Sequence, residues 1–197
     1  MTLILSLLLS SLLHATEIAR QSPQPCAGLP TGKHALLERM AADFGLTCEQ
    51  QLKIERLLHD EESVSKPLLR FTSFTADQRQ AVMTKIKLAA RRQIRPLLTP
   101  EQQKLLDLDM ENVARAPRKG GQNFAQTGIG PGSPKTDALD DEEVLSRAVM
   151  NYAGLRAEEK KEIVLEIKRA ARTDGNQRLT PEQQRKLDSD IAELSKR

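Results

Sequence analysis

Leu98 to Gln103 reads LTPEQQ; the same six residues recur at Leu179 to Gln184, and LTCEQQ stands at Leu46 to Gln51. Each is a helix start. Thr99 is a good N-cap, and Pro100 suits the first helical position because its missing N–H has no intrahelical partner there. Gln102 stands at N3, from which its side chain reaches back to the cap. Thr180 with Gln183 and Thr47 with Gln50 repeat this capping box, and Thr75 with Gln78 in FTADQ is a looser version. A cap is worth about 1 kcal/mol, which accounts for any one of these starts but not for their repetition.

Outward from the motif the repeat lengthens. IKLAARRQIRPLLTPEQQKLLDLD from Ile86 aligns without a gap on IKRAARTDGNQRLTPEQQRKLDSD from Ile167, a shift of 81 positions. Ala89 meets Ala170, Arg91 meets Arg172 and Asp107 meets Asp188; the match reaches weakly back to Glu61 and Glu142, as expected of a duplicated helical unit. The copies are unequal, because Thr47 shifted by 81 falls on Gly128 and the second copy lacks the first motif. Gly128 lies in APRKGGQNFAQTGIGPGSPKT, residues 116–136, whose glycines and prolines read as a flexible linker. The expected organisation is a helical module over 33–115, the linker, and a partial repeat over 137–197.

Apolar spacing fills in the helices. HALLERMAADF places Leu36, Leu37, Met40 and Phe44 on one face and ends at Gly45. The next helix starts near Cys48, turns Leu52, Leu57 and Leu58 inward and is expected to break or kink near Pro67. A third, from Ala76 to about Arg95, stacks Val82, Ile86, Ala90 and Ile94, and a fourth from Pro100 uses Leu106, Met110 and Val113. Asp140 to Tyr152, Ala157 to Thr173 and Pro181 to Ser195 repeat the last three. The fold class expected is all-α: a helical hairpin module of about four helices, a Gly/Pro linker, and a partial second copy of about three.

Composition agrees, with 29% charged residues, 3% aromatic and no Trp in 197 residues. The apolar run Leu3 to Leu13 has the length of a signal-peptide core and is too short to span a bilayer, so residues 1–19 read as a secretion signal; a buried helix is the alternative. Export implies a periplasmic location, with no stable membrane span once the signal is removed. In an exported chain Cys26 and Cys48 permit one disulfide, worth about 3 kcal/mol by loop entropy. Two free thiols are the other reading, with the Cys48 pKa then lowered by its helix start.

Leu46, Thr47 and Gln50 paired with Leu98, Thr99 and Gln102, about fifty residues apart in a helical chain behind a signal, resemble the LTxxQ proteins, the periplasmic Spy and CpxP group. The resemblance covers about Lys33 to Val113, with a partial copy from Leu139 to Leu194 that holds Leu179, Thr180 and Gln183. It implies a four-helix hairpin-like protomer that pairs into a curved antiparallel homodimer. It also implies an ATP-independent chaperone or stress-sensor regulator, with unfolded or misfolded envelope proteins or a sensor-kinase domain as partners. The extra half-copy departs from that pattern and can supply a second protomer's helices within one chain.

The third helix is the most unusual surface. Between Gln78 and Pro100 there is no acidic residue, while Arg79, Lys85, Lys87, Arg91, Arg92 and Arg95 are present. Lys87, Arg91 and Arg95 fall at four-residue steps beside Ile86, Ala90 and Ile94, a basic stripe next to an apolar one. With Leu68, Phe71 and Phe74 of PLLRFTSF this is the expected binding face for unfolded or acidic clients; the plainer reading is a solvated helix face over a core that those apolar residues plug.

Catalysis is not indicated. His34 and His59 have no close-spaced Cys or His partner for zinc or nucleophilic chemistry, and no Gly-rich loop joins a strand to a helix. Asp60 to Glu62 and Asp140 to Glu143 read as solvated or helix-start charges. The basic helix lacks the interleaved aromatics of a nucleic-acid binder. A non-enzymatic exported chaperone-like or stress-response protein without cofactor or metal is expected. The alternatives are a metal-responsive regulator of a sensor kinase and a structural envelope protein.

Overall fold

The structure is a computed structural model that describes Cys26 and residues 35–115, 138–174 and 179–196. The signal over 1–19, His34 and the linker over 116–136 lie outside the described residues. The described elements are all helical: α1 Ala35–Phe44, α2 Cys48–Arg70, α3 Ala76–Ile94 with a 3₁₀ turn Arg95–Leu97, α4 Pro100–Arg115, α5 Ala138–Asn151, α6 Ala157–Asp174 and α7 Pro181–Lys196. The fold is all-α, and no described helix is long and apolar enough to cross a membrane.

The repeated hexapeptide is a complete capping device. Thr47, Thr99 and Thr180 each donate their backbone N–H to the Oε1 of the N3 glutamine at 2.8–2.9 Å, and each threonine Oγ1 accepts the N–H of that glutamine at 3.2–3.3 Å. The second glutamine has its own work: Gln51, Gln103 and Gln184 donate Nε2 to the carbonyls of Leu46, Leu98 and Leu179 at 3.0–3.3 Å. Those three leucines are buried, so each anchors the chain just before its helix while its carbonyl is satisfied. At α3, Thr75 and Gln78 form the box, Phe74 is the buried anchor and Arg79 donates Nη2 to the carbonyls of Phe71 and Phe74. At α6, Glu159 accepts the Arg156 N–H, Leu155 is the anchor and Lys160 Nζ reaches the Met150 carbonyl at 2.8 Å.

The break expected in α2 is absent, and one of the leucines expected inside is exposed. The helix does not end at Pro67 but continues to Arg70. Pro67 lies in the last turn, where it removes one backbone bond, and burial of Leu68 and Phe71 holds that turn in place. Leu52 is 43% exposed rather than inward. The inward stripe is Ile54, Leu58, Glu61, Val64 and Leu68, which passes through a carboxylate.

The chain divides into two compact units, Met1–Leu52 and Lys53–Arg197. In the first, α1 buries Leu37, Met40 and Ala41 and ends at Gly45, which takes φ +62°, a conformation glycine adopts without strain. A disulfide joins Cys26 to Cys48 at the start of α2, which excludes the free-thiol reading.

The second unit holds one buried cluster drawn from both copies. Val64, Leu68, Phe71, Phe74, Val82, Ile86 and Ala89 come from the first; Leu145, Val149, Tyr152, Leu155, Ile163, Val164, Ile167, Ala170 and Ala171 come from the second. Shifted by 81 positions the sets largely coincide, Phe71 on Tyr152 and Ile86 on Ile167 among them. The duplicated helices therefore share a core rather than building one each.

Gly154 marks how tightly that core closes. A Cβ there would sit 2.7 Å from Tyr152 Cζ and Oη and 2.8 Å from Gln93 Oε1. The Tyr152 ring is 4% exposed and cannot swing away. Gly154→Ala is expected to cost about 1–3 kcal/mol through overpacking, read as a lower urea midpoint at unchanged slope. The corresponding residue of the first copy is Ser73, and Ser73→Ala in the same assay should lie well below that.

Candidate functional site

The basic stripe of α3 is engaged inside the protein. Arg91 is 3% exposed; its Nη1 meets Glu61 Oε2 of α2 at 3.0 Å and its Nε meets Asp109 Oδ2 of α4 at 3.4 Å. Arg95 clasps Asp107 with two bonds at 3.0 and 3.1 Å. That hydrogen bond holds the Asp107 carboxyl below its usual range and lifts the guanidinium. Arg92 Nη2 meets both oxygens of Glu159 at 2.9 and 2.7 Å, and Lys85 meets Glu162 at 2.8 Å. Arg79 is spent on the carbonyls before its own helix. Lys87 is half-buried and makes no ion pair among the described residues.

The client face expected from sequence is corrected accordingly. Leu68, Phe71 and Phe74 are at most 4% exposed, with the two phenyl rings edge to face at 5.0 Å, and they are core. An acid-free helix suggested an unneutralised one, but the neutralising carboxylates come from α2, α4 and α6. Local sequence shows charge along a helix and not charge across it.

Those pairs define how the copies meet. Along α3 the partners run backwards through the second copy, Glu162 for Lys85, Glu159 for Arg92 and Gly154 for Gln93, so α3 and α6 are antiparallel. Lys85 also acts electrostatically on Glu166, which is its own equivalent 81 positions on. The meeting of two equivalent positions marks an approximate two-fold axis between the copies. Tyr152 lies in the field of Glu61 and Asp60 from the first copy; burial first, then those carboxylates, push its phenol far above the ordinary range.

A second buried charge cluster mirrors the first with one change. Glu142 and Asp190, the equivalents of Glu61 and Asp109, are bridged by Lys168 at 3.2 and 2.9 Å. Lys168 stands one helical turn before the equivalent of Arg91, which is Arg172, and Arg172 pairs instead with Asp188 at 2.8 Å. Burial opposes the Lys168 ammonium, but hydrogen bonds and charge from Asp190 and Glu142 outweigh it and raise its pKa. The sequence reading of Glu61 and Glu142 as solvated or helix-start charges is corrected; the duplication of Glu61 at Glu142, and of Asp109 at Asp190, was the available sign that they are structural.

Glu166 supplies a pH test of the two-fold contact. Burial, opposed by Lys85 and reinforced by Glu162, raises its pKa. A folded pKa above the unfolded value of about 4.3 means that stability is lost as pH rises through that window. Glu166→Gln should therefore match the parent near pH 3.5 and exceed it at pH 7, by about 0.5 kcal/mol because the group is only half-buried and solvent screens it in part. Parallel thermal melts at the two pH values read the difference.

Apolar side chains remain on the surface. Leu69 and Met150, equivalent positions at the ends of α2 and α5, are 44% and 54% exposed. Leu105 and Leu108 on α4 and Val144 on α5 are also exposed. Among the described residues no group of three or more His, Cys, Asp or Glu could hold a metal ion. Comparison of the chain with protein-family models, curated proteins and solved structures returns no match.

Proposed function

We propose that the protein is an exported, ATP-independent chaperone-like protein of the Spy and CpxP type in which the second copy takes the place of a second subunit. The antiparallel meeting of α3 with α6 carries this reading, because the resemblance implies an antiparallel pair of protomers and this chain pairs its own two copies that way. Three LTxxQ boxes that cap helices of such a bundle are consistent with it. With the α3 cations other than Lys87 occupied, client contact falls to exposed apolar side chains, among them Leu69 and Met150. Purified protein at several-fold molar excess should suppress light scattering by an unfolding client without ATP. Leu69→Asp with Met150→Asp should reduce that suppression while leaving helicity unchanged. Absence of suppression by the parent protein would contradict the proposal.

A further inference from the structure

In the second copy α6 is the middle helix, packed against α5 on one side and α7 on the other. Between the outer helices lies an open groove of about 740 Å³, within the roughly 300–1,000 Å³ of pockets that enclose a ligand. Its apolar lining comes from Leu139 and Met150 on α5, Val164 on α6, and Leu187 and Leu194 on α7. Val164 and Leu187 are buried at the floor and Met150 is exposed at the lip, so apolar surface runs the full depth.

Charge around the groove is unbalanced. Five carboxylates line it against three cations. Two of those cations are already engaged, Lys168 with Glu142 and Asp190, and Arg147 with Glu143 at 2.6 Å. The lining as a whole carries an excess of two negative charges, its carboxylates being Asp140, Glu142 and Glu143 on α5 and Asp190 and Glu193 on α7. Three helices around an apolar trough are one short of a four-helix bundle. The second copy also lacks the LTxxQ start that precedes α2 in the first, since Gly128 stands where Thr47 would recur.

We propose that this groove docks a basic amphipathic helical segment of a client protein. Apolar residues at i, i+3, i+4 and i+7 would seat on the lining, and flanking Lys or Arg would face the carboxylates of the two lips. The proposal rests on the chaperone-like reading and names its client class: basic segments, the opposite of what an unpaired α3 stripe would select.

Two labelled peptides of about five helical turns, with identical leucine spacing and either Lys or Glu at the flanking positions, test this by fluorescence anisotropy against the full-length protein. The Lys peptide should bind about tenfold tighter than the Glu peptide. Glu143→Lys with Glu193→Lys should abolish or reverse that preference at unchanged circular dichroism. Equal binding of the two peptides, or a preference that survives the double substitution, overturns the proposal. Client aggregation followed on the same samples separates the two readings. Suppression without a charge preference overturns the groove assignment alone, whereas no suppression by the parent protein overturns the chaperone-like reading that it rests on.

Discussion

Arg91→Met is expected to destabilise the protein by about 3–5 kcal/mol, the usual result of removing one partner from a buried ion pair. Methionine keeps most of the length of arginine but leaves Glu61, whose side chain is 12% exposed, as a carboxylate facing the interior without its cation. Most of the loss is therefore desolvation of the partner left behind and not the worth of the pair. Adding Glu61→Leu to Arg91→Met should recover the greater part of it, since an apolar replacement of a buried pair is often near neutral. Arg147→Met, which breaks an exposed pair one helical turn long, should cost at most about 0.5 kcal/mol. The chain has no Trp and one Tyr, so urea midpoints would be followed by far-ultraviolet circular dichroism. A double variant as unstable as Arg91→Met alone would mean that the loss comes from packing and not from Glu61.

Phe71→Ala should cost a similar amount, about 3–5 kcal/mol. Phe71 is 1% exposed, packs edge to face on Phe74 and belongs to the cluster that both copies build. The form of the transition is as informative as its midpoint. Because Phe71 of the first copy and Ile167 of the second lie in one core, the variant should still melt in a single step at lower temperature. Melting of the first copy ahead of the second would show two cores where the structure has one.

Helix starts, their order and the all-α class were legible because capping and apolar spacing are local. The threonine, the proline and the first glutamine of LTPEQQ explain themselves within four residues. The second glutamine needed the structure, because its partner is the carbonyl of the leucine that precedes the cap. The inward face of α2 was misread at Leu52 because apolar counting passes over Glu61, which is buried only by virtue of Arg91 on another helix. The α3 stripe was misread for the same reason, with its counter-charges at Asp107, Asp109, Glu159 and Glu162 lying 12 to 77 positions away. The groove of the second copy left no local trace, since it depends on how α5 and α7 flank α6. Duplication was the one non-local signal in the sequence. A charged residue that recurs at the same place in two copies, as Glu61 does at Glu142, deserved to be placed in the interior.

The single core is tested most directly by cutting the chain between its copies. A protease site inserted between Arg115 and Ala138 and cleaved in the purified protein yields two fragments with no covalent connection. The fragments are expected to elute together from a sizing column at the volume of the uncut monomer and to unfold in one transition, held by the α3–α6 ion pairs and the shared cluster. Separate elution of two folded fragments would contradict the fusion of two helical copies into one protomer pair.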